Sequence, residues 1–415
     1  MVKCGILTHN TGLDDTITNK DSEGFILAKS LKNKLTKTIE KEKMKIMKKK
    51  LSHVKNRWKV IDSLDEPENL IPTTINYKGE LSNSPKRIGE MLGNFYNEKI
   101  ETIRSEFDAS NTAAMETFEY LIPKPNTSFS FKTVSTSKTY EVITKLKLSN
   151  AKGNDEMTSR IMRECPHFNA LAITHIFNSM IRTKKYPQIL KTARIVPLLK
   201  KGKDPTDPNS FRPVSNLLVT DKVIESLLKE QMEKYFEDNF LIPDEHHGCR
   251  TNHSTMTCKM SLDSDLAEIM EERKHALVIS TDLTAAMDVV EHKLLLEKMN
   301  HMGVSKDATD LMESFLSNRF FIIDIQGFYT NRFIQPPCSI IQGSRFSGFL
   351  MSVSTLEVPL LPKVMMSPEL ASKIAGKTIE RVENTSHLSQ SYIDDNSNVI
   401  GAQSHDDLVA YTQNY

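Results

Sequence analysis

Cysteine is scarce in this chain and forms no pattern. The five residues (Cys4, Cys165, Cys249, Cys258 and Cys338) make no CxxC pair and keep no regular spacing. That argues against a zinc ribbon or a disulfide scaffold and fits a reducing compartment. Long apolar runs are missing too: none approaches the ~18–20 residues of a membrane span, so no membrane partner is expected. The start, Met1-Val2-Lys3-Cys4-Gly5-Ile6, has no long apolar core, and no secretory signal is visible. Neither charge sign dominates, with 54 Lys and Arg against 53 Asp and Glu. There is one tryptophan, Trp58, and no internal repeat. Regular alternation of strands and helices is absent, which argues against a doubly wound sheet. What remains is a chain of 415 residues, 39% hydrophobic and 26% charged, ordinary for a globular protein and long enough for two or three domains.

The neutral total hides an asymmetry. Between Lys29 and Lys59 thirteen Lys and Arg stand against two Glu. With no Pro or Gly, residues 30–59 read as a basic helix whose end Trp58 anchors. Its charge suits either a solvated face or a nucleic-acid backbone. Pro67 to Pro85 reads as a loop. After Ser84-Pro85, Ile88, Met91, Leu92, Phe95 and Tyr96 recur at helical spacing. Further helices are expected from Tyr140 to Leu148, from Ala170 to Ile181, from Asp221 to about Asn239, from the cap at 252–255 to about Glu272, and over 293–302 and 306–316. Arg194 to Leu199 is a short strand that Pro197 places at an edge or a strand end. Phe320–Gln326 and Asn331–Gln335 read as a hairpin. Helices and antiparallel strands in mixed order give an α+β fold.

Two acidic features stand out. The run His275-Ala276-Leu277-Val278-Ile279-Ser280-Thr281 stops on Asp282, and Asp394-Asp395 sits between two short apolar runs. An Asp at a strand end and an Asp-Asp in a tight turn suit a two-metal phosphoryl-transfer centre, where carboxylates clamp cations that stabilise attacking and leaving oxygens. His246, His247 and His253 lie close together, but without Cys or carboxylate partners at ligand spacing they make a poor metal site.

The order of the pieces carries a resemblance. Lys200-Lys201-Gly202-Lys203-Asp204-Pro205 is followed by Phe211-Arg212-Pro213-Val214-Ser215, His247-Gly248-Cys249-Arg250 with His253-Ser254-Thr255, and Thr281-Asp282 through Met287-Asp288. Leu316-Ser317-Asn318-Arg319, Gln342-Gly343-Ser344 and Tyr392-Ile393-Asp394-Asp395 complete the series. It resembles the reverse transcriptase of non-LTR (LINE-type) retrotransposons, most strongly from about Tyr186 to Asp407. The resemblance implies a polymerase right-hand fold, with fingers and an antiparallel palm sheet backed by helices. A basic helical N-terminal extension (1–60) and a helical linker region (61–180) would precede the polymerase domain (181–415), whose fingers run over about 181–270 and palm over about 271–415. On the family's pattern the palm is incomplete and no thumb or endonuclease accompanies it. That leaves an alternative, a catalytically inactive retroelement-derived fragment that binds nucleic acid.

The implied activity is RNA-directed DNA synthesis on an RNA template and DNA primer, using dNTPs and two Mg²⁺ ions. Asp282, Asp394 and Asp395 match the catalytic, metal-binding carboxylates. Arg212 matches the arginine that grips the incoming triphosphate, with Lys203 adding a point charge. Gln342 and Gly343 match the loop beneath template base and nucleotide sugar, the glycine there expected to let nucleic acid approach closely. Arg250 is expected on the template side, and Lys48, Lys49 and Lys50 on nucleic acid or as a nuclear signal. The oligomeric state is not legible, and localisation is open between nucleus and cytoplasm. Met287 stands where the family usually has the Phe or Tyr that excludes a 2′-hydroxyl, which predicts weakened sugar discrimination. Cys249 replaces an aromatic, with a void expected unless neighbours repack. Ile341 and Gly348 replace prolines.

Overall fold

The computed structural model describes residues 3–7, 71–105, 111–272, 275–283, 285–361, 385–392 and 395–402. The basic segment 30–59, with Lys48, Lys49, Lys50 and Trp58, lies outside the described residues, as does Asp394. By internal contacts, Met1–His9, Ile71–Lys200 and Asp204–Tyr415 form one compact unit. Among the described residues no helix is long and apolar enough to cross a membrane.

Helices and mixed sheets alternate irregularly along this unit. After strand β1 (Lys3–Leu7) come the hairpin β2 (Ile75–Tyr77) and β3 (Glu80–Ser82), then helices α1 (Pro85–Ser105), α2 (Asn111–Leu121), α3 (Thr136–Thr144), α4 (Ser159–Glu164) and α5 (Pro166–Thr183). Strands β4 (Thr192–Leu199) and β5 (Phe211–Asn216) lead to helices α6 (Val219–Asp238) and α7 (Thr255–Glu271). Strand β6 (His275–Asp282), helices α8 (His292–His301) and α9 (Lys306–Leu316), and strands β7 (Phe320–Ile325), β8 (Phe328–Tyr329) and β9 (Phe333–Ile334) follow. Helix α10 (Ser347–Ser354) precedes the final pair, β10 (Thr385–Tyr392) and β11 (Asp395–Ala402).

One sheet has the order β1-β6-β11-β10, with every pair antiparallel. The other runs β5-β4-β7-β8, with β9 also on β7 and β4 parallel to β7. Helix α1 lays Ile88, Met91, Leu92 and Tyr96 against Ala193, Ile195, Phe321 and Ile323 of this second sheet. The stripe expected on α6 is buried as its spacing demands: Val223, Ile224, Leu227, Leu228, Met232 and Phe236 enter the largest core, shared with α5, α8, α9 and α10.

Several local expectations change. The segment 67–85 is not all loop, because Lys78 and Gly79, both at positive φ, turn β2 into β3. Helix α3 starts at Thr136, since the Ser135 side chain caps it by accepting from the Lys138 amide, and it stops at Thr144. Pro197 lies in a strand paired on both sides, but β7 accompanies β4 only from Thr192 to Ile195. At Pro197 the β4–β5 ladder sets Pro213 opposite, so a position without an N–H falls where β7 has ended. Phe211 to Ser215, for which the sequence set no element, lies in strand β5, with Arg212 opposite Leu198.

Candidate active site

Strand β6 is built from an apolar run whose Leu277 and Ile279 pack with Ile400 and Ala402 of β11. That packing selects the register, since a slip of one residue would turn the slipped strand's apolar side chains to the other face. The register places Asp395 opposite Asp282, Ser397 opposite Ser280 and Tyr392 opposite Asp395. Directly opposite residues in an antiparallel pair have Cα atoms about 4.5–5.5 Å apart. Two acids far apart in sequence thus share one sheet end, with Asp394 directly preceding Asp395 in the chain. Positions 280, 282, 395 and 397 share a face, on which the Ser280 and Ser397 hydroxyls lie 3.3 Å apart. Carboxylates at positions 282, 394 and 395, as hard oxygen donors, are of the residue type that suits a hard divalent cation such as Mg²⁺.

The segment after β6 turns through Ala285 in a left-handed conformation into the short 3₁₀ turn Ala286–Asp288. Met287 is partly buried against the main core, and its carbonyl accepts from the Ile340 amide at 2.7 Å. Asp288 and Gln342 connect this turn to the Gln342–Ser344 loop, with Gln342 Nε2 donating to Asp288 Oδ1 at 3.5 Å. Burial raises the Asp288 pKa, opposed by the Lys99 charge and the Gln342 contact. A cavity of about 100 Å³ lies alongside, lined by Tyr96, Phe211, Ser215, Asp288, Ile341 and Gln342 among others.

Gly343 is required by the protein itself. Its φ is +92°, and a Cβ there would sit 2.8 Å from the Ser215 carbonyl oxygen of β5. The two departures at 249 and 348 also meet: a Cβ added to Gly348 would collide with Cys249 Sγ. The small side chain at one position and the missing one at the other occupy the same space, so no void of aromatic size need open at Cys249.

Arg212 and Lys203 are exposed. Arg250 is committed within the protein: Nε and Nη2 both donate to the Glu237 carboxylate at 3.1 Å, and Nη1 donates to the carbonyls of Pro243 and His246. A guanidinium so engaged fixes its own loop. Among the described residues no group of three or more His, Cys, Asp or Glu side chains is placed to hold a metal, and the three histidines bond to hydroxyl, amide and carbonyl groups.

A buried ionic cluster under the Gln342–Ser344 loop was not foreseen from the sequence. Asp221 and Glu225, one turn apart on α6, are both 0% exposed, and Arg319 is 3% exposed. Glu225 Oε2 accepts from the Arg345 amide at 2.8 Å, Tyr186 donates its hydroxyl to Asp221, and Arg319 Nη2 stands 3.7 Å from Asp221 Oδ2. Burial, then the Asp221 charge, lifts the Glu225 carboxyl above its ordinary 4.5. Burial likewise raises Asp221, against the pull of Arg319. The signal was present: two acids inside the apolar stripe of a helix cannot be solvent-facing.

Residues 198–410 match the model of the reverse transcriptase (RNA-dependent DNA polymerase) family. The chain is 25% identical over 304 residues to the probable RNA-directed DNA polymerase from transposon BS of Drosophila melanogaster, covering 73% of this chain and 33% of that protein. It is 30% identical over 227 residues to the RNA-directed DNA polymerase from mobile element jockey of Drosophila funebris, covering 54% of this chain and 24% of that one. To the retrovirus-related Pol polyprotein from type-1 retrotransposable element R2 of Popillia japonica it is 23% identical over 188 residues, 45% of this chain and 26% of that protein. The chain spans a third or less of the length of these relatives.

Proposed function

The chain belongs to the reverse transcriptase (RNA-dependent DNA polymerase) family, and from that membership we propose that residues 181–415 are the fingers and palm of an RNA-directed DNA polymerase of a non-LTR retroelement. The β1-β6-β11-β10 sheet would be the palm and the β5-β4-β7 sheet part of the fingers. Residues 61–180 and the basic segment 1–60 would lead into them. One observation carries the reading: the ladder that sets Asp395 opposite Asp282 beside Asp394.

In this reading Asp282, Asp394 and Asp395 hold two Mg²⁺ ions, whose chemistry is to stabilise the charge on the attacking 3′-oxygen and the leaving pyrophosphate. Arg212, exposed on β5, binds triphosphate oxygens through its guanidinium fork, and Lys203 adds charge. The Gln342–Ser344 loop, fixed by Gly343 against Ser215 and by Glu225 from below, supports the template base and the nucleotide. Met287 borders the sugar. Lys48, Lys49 and Lys50 contribute phosphate contacts, and Arg250 acts by holding its loop.

The test is Mg²⁺-dependent primer extension on poly(rA)/oligo(dT). The wild type should extend and Asp394→Asn should not. Nucleic-acid binding without extension by the wild type would instead favour the binding fragment, and extension that survives Asp394→Asn would overturn the site. In the same assay Met287→Phe should raise the preference for dNTPs over rNTPs, because a rigid ring closes the space that a flexible thioether leaves. Unchanged ratios would remove Met287 from the sugar site.

A further inference from the structure

The histidines at 246 and 247 bind no metal with described residues, yet both are buried. Their place in the fold explains them. The Ser391 amide donates to the Glu245 carbonyl at 2.9 Å, and the His247 amide donates to the Ser391 carbonyl at 2.9 Å. Residue 246 thereby pairs with Ser391 as a parallel bridge, extending the sheet beyond the outer strand β10. Side chains repeat the connection. His246 Nδ1 and Ser391 Oγ share a hydrogen bond of 2.8 Å, and His247 Nε2 donates to Gln390 Oε1 at 3.1 Å. The Gln390 amide in turn donates to Asp265 Oδ2 of α7 at 2.9 Å. Five hydrogen bonds therefore converge on residues 390 and 391, four and three positions before Asp394. The His246 ring is fully buried, and its Nε2 meets no partner among the described residues. A group that gives up one hydrogen bond on burial is costly to keep, and its one side-chain bond goes to the strand that leads into the paired acids.

We propose that His246 and His247 are positioning residues that lock the β10–β11 hairpin, and with it Asp394 and Asp395, into the register that meets Asp282. The proposal rests on the polymerase reading for its consequence but not for its geometry, and the two separate experimentally. In the full chain, amide hydrogen exchange reports the hairpin directly, and the Mg²⁺ concentration for half-maximal primer extension reports the carboxylates. His246→Ala should raise that Mg²⁺ concentration and speed exchange over 388–400, each by about tenfold, the equivalent of one buried hydrogen bond. Ser391→Ala removes the same bond with the loss of one oxygen atom and should reproduce both effects if His246→Ala fails to fold. The double variant should be no worse than the worse single one, as partners in one bond require. Wild-type exchange over 388–400 and an unchanged Mg²⁺ dependence in both single variants would overturn the proposal, as would full additivity. If the wild type extends no primer, the polymerase reading fails, while the exchange measurement still decides whether the histidines hold the hairpin.

Discussion

Asp282→Asn is expected to lower primer extension by roughly a thousandfold or more, the scale on which loss of a residue at the reacting centre is felt. Asn keeps the volume and one carbonyl oxygen but loses the charge that holds a cation. The same substitution should leave the melting temperature nearly unchanged, and in Mg²⁺-free buffer it should raise it slightly. The ladder sets position 282 opposite position 395, so like charges are concentrated there when no cation is bound. Nucleic-acid binding should persist, because the basic groups assigned to phosphate lie elsewhere in the sequence. A variant that extends primers within tenfold of the wild type would exclude Asp282 from the centre.

The largest expected loss of stability follows removal of Arg319. Its guanidinium faces Asp221 in a region where Asp221 and Glu225 are both fully buried. Arg319→Met fills similar volume and leaves two buried acids without their cation, a change that costs about 3–5 kcal/mol when one partner of a buried pair is removed. The pH dependence has a defined sign. Both acids are raised by burial, so the folded state holds protons that the unfolded chain releases. The stability this brings is complete below the unfolded carboxylate values and is lost as pH rises through the folded ones. Without Arg319 both carboxyls rise further and the variant loses more stability per pH unit. Thermal unfolding should therefore show a small difference from wild type near pH 5 and a larger one at pH 8. A gap that is constant with pH would mean that Arg319 acts through packing alone. Adding Glu225→Gln, which keeps an acceptor for the Arg345 amide, should narrow the gap at pH 8.

Much of the local structure was legible because local signals agreed. The helix over 306–316 and the strand ending at Asp282 have the bounds that their periodicity and composition set. The α6 stripe read correctly because apolar residues at helical spacing have one buried face to offer. The missed pieces depended on distant partners. The hairpin at 75–82 has strands of three residues, too short for alternation to register. Arg212 lies in a strand because β4 is there to pair with it. At Gly343 the sequence could not show the internal constraint, which is that the atom nearest its absent Cβ is the Ser215 carbonyl oxygen. The histidine cluster read as a poor metal site and was left without a role, because sequence shows neighbours along the chain but not Ser391 across the fold. Asp282 and Asp394-Asp395 could be named from their strand-end and turn settings. That positions 282 and 395 face each other is a fact of register, which only the packed sheet supplies.

One cation site is expected to join these two segments. Fe²⁺ in place of Mg²⁺, with ascorbate and peroxide, generates hydroxyl radicals that cleave backbone near the bound ion. Two cuts are expected in the full chain, one near residue 282 and one near residues 392–395. Excess Mg²⁺ and Asp282→Asn should suppress both together. A cut at only one segment, or a cut near 392–395 that survives Asp282→Asn at full strength, would contradict it.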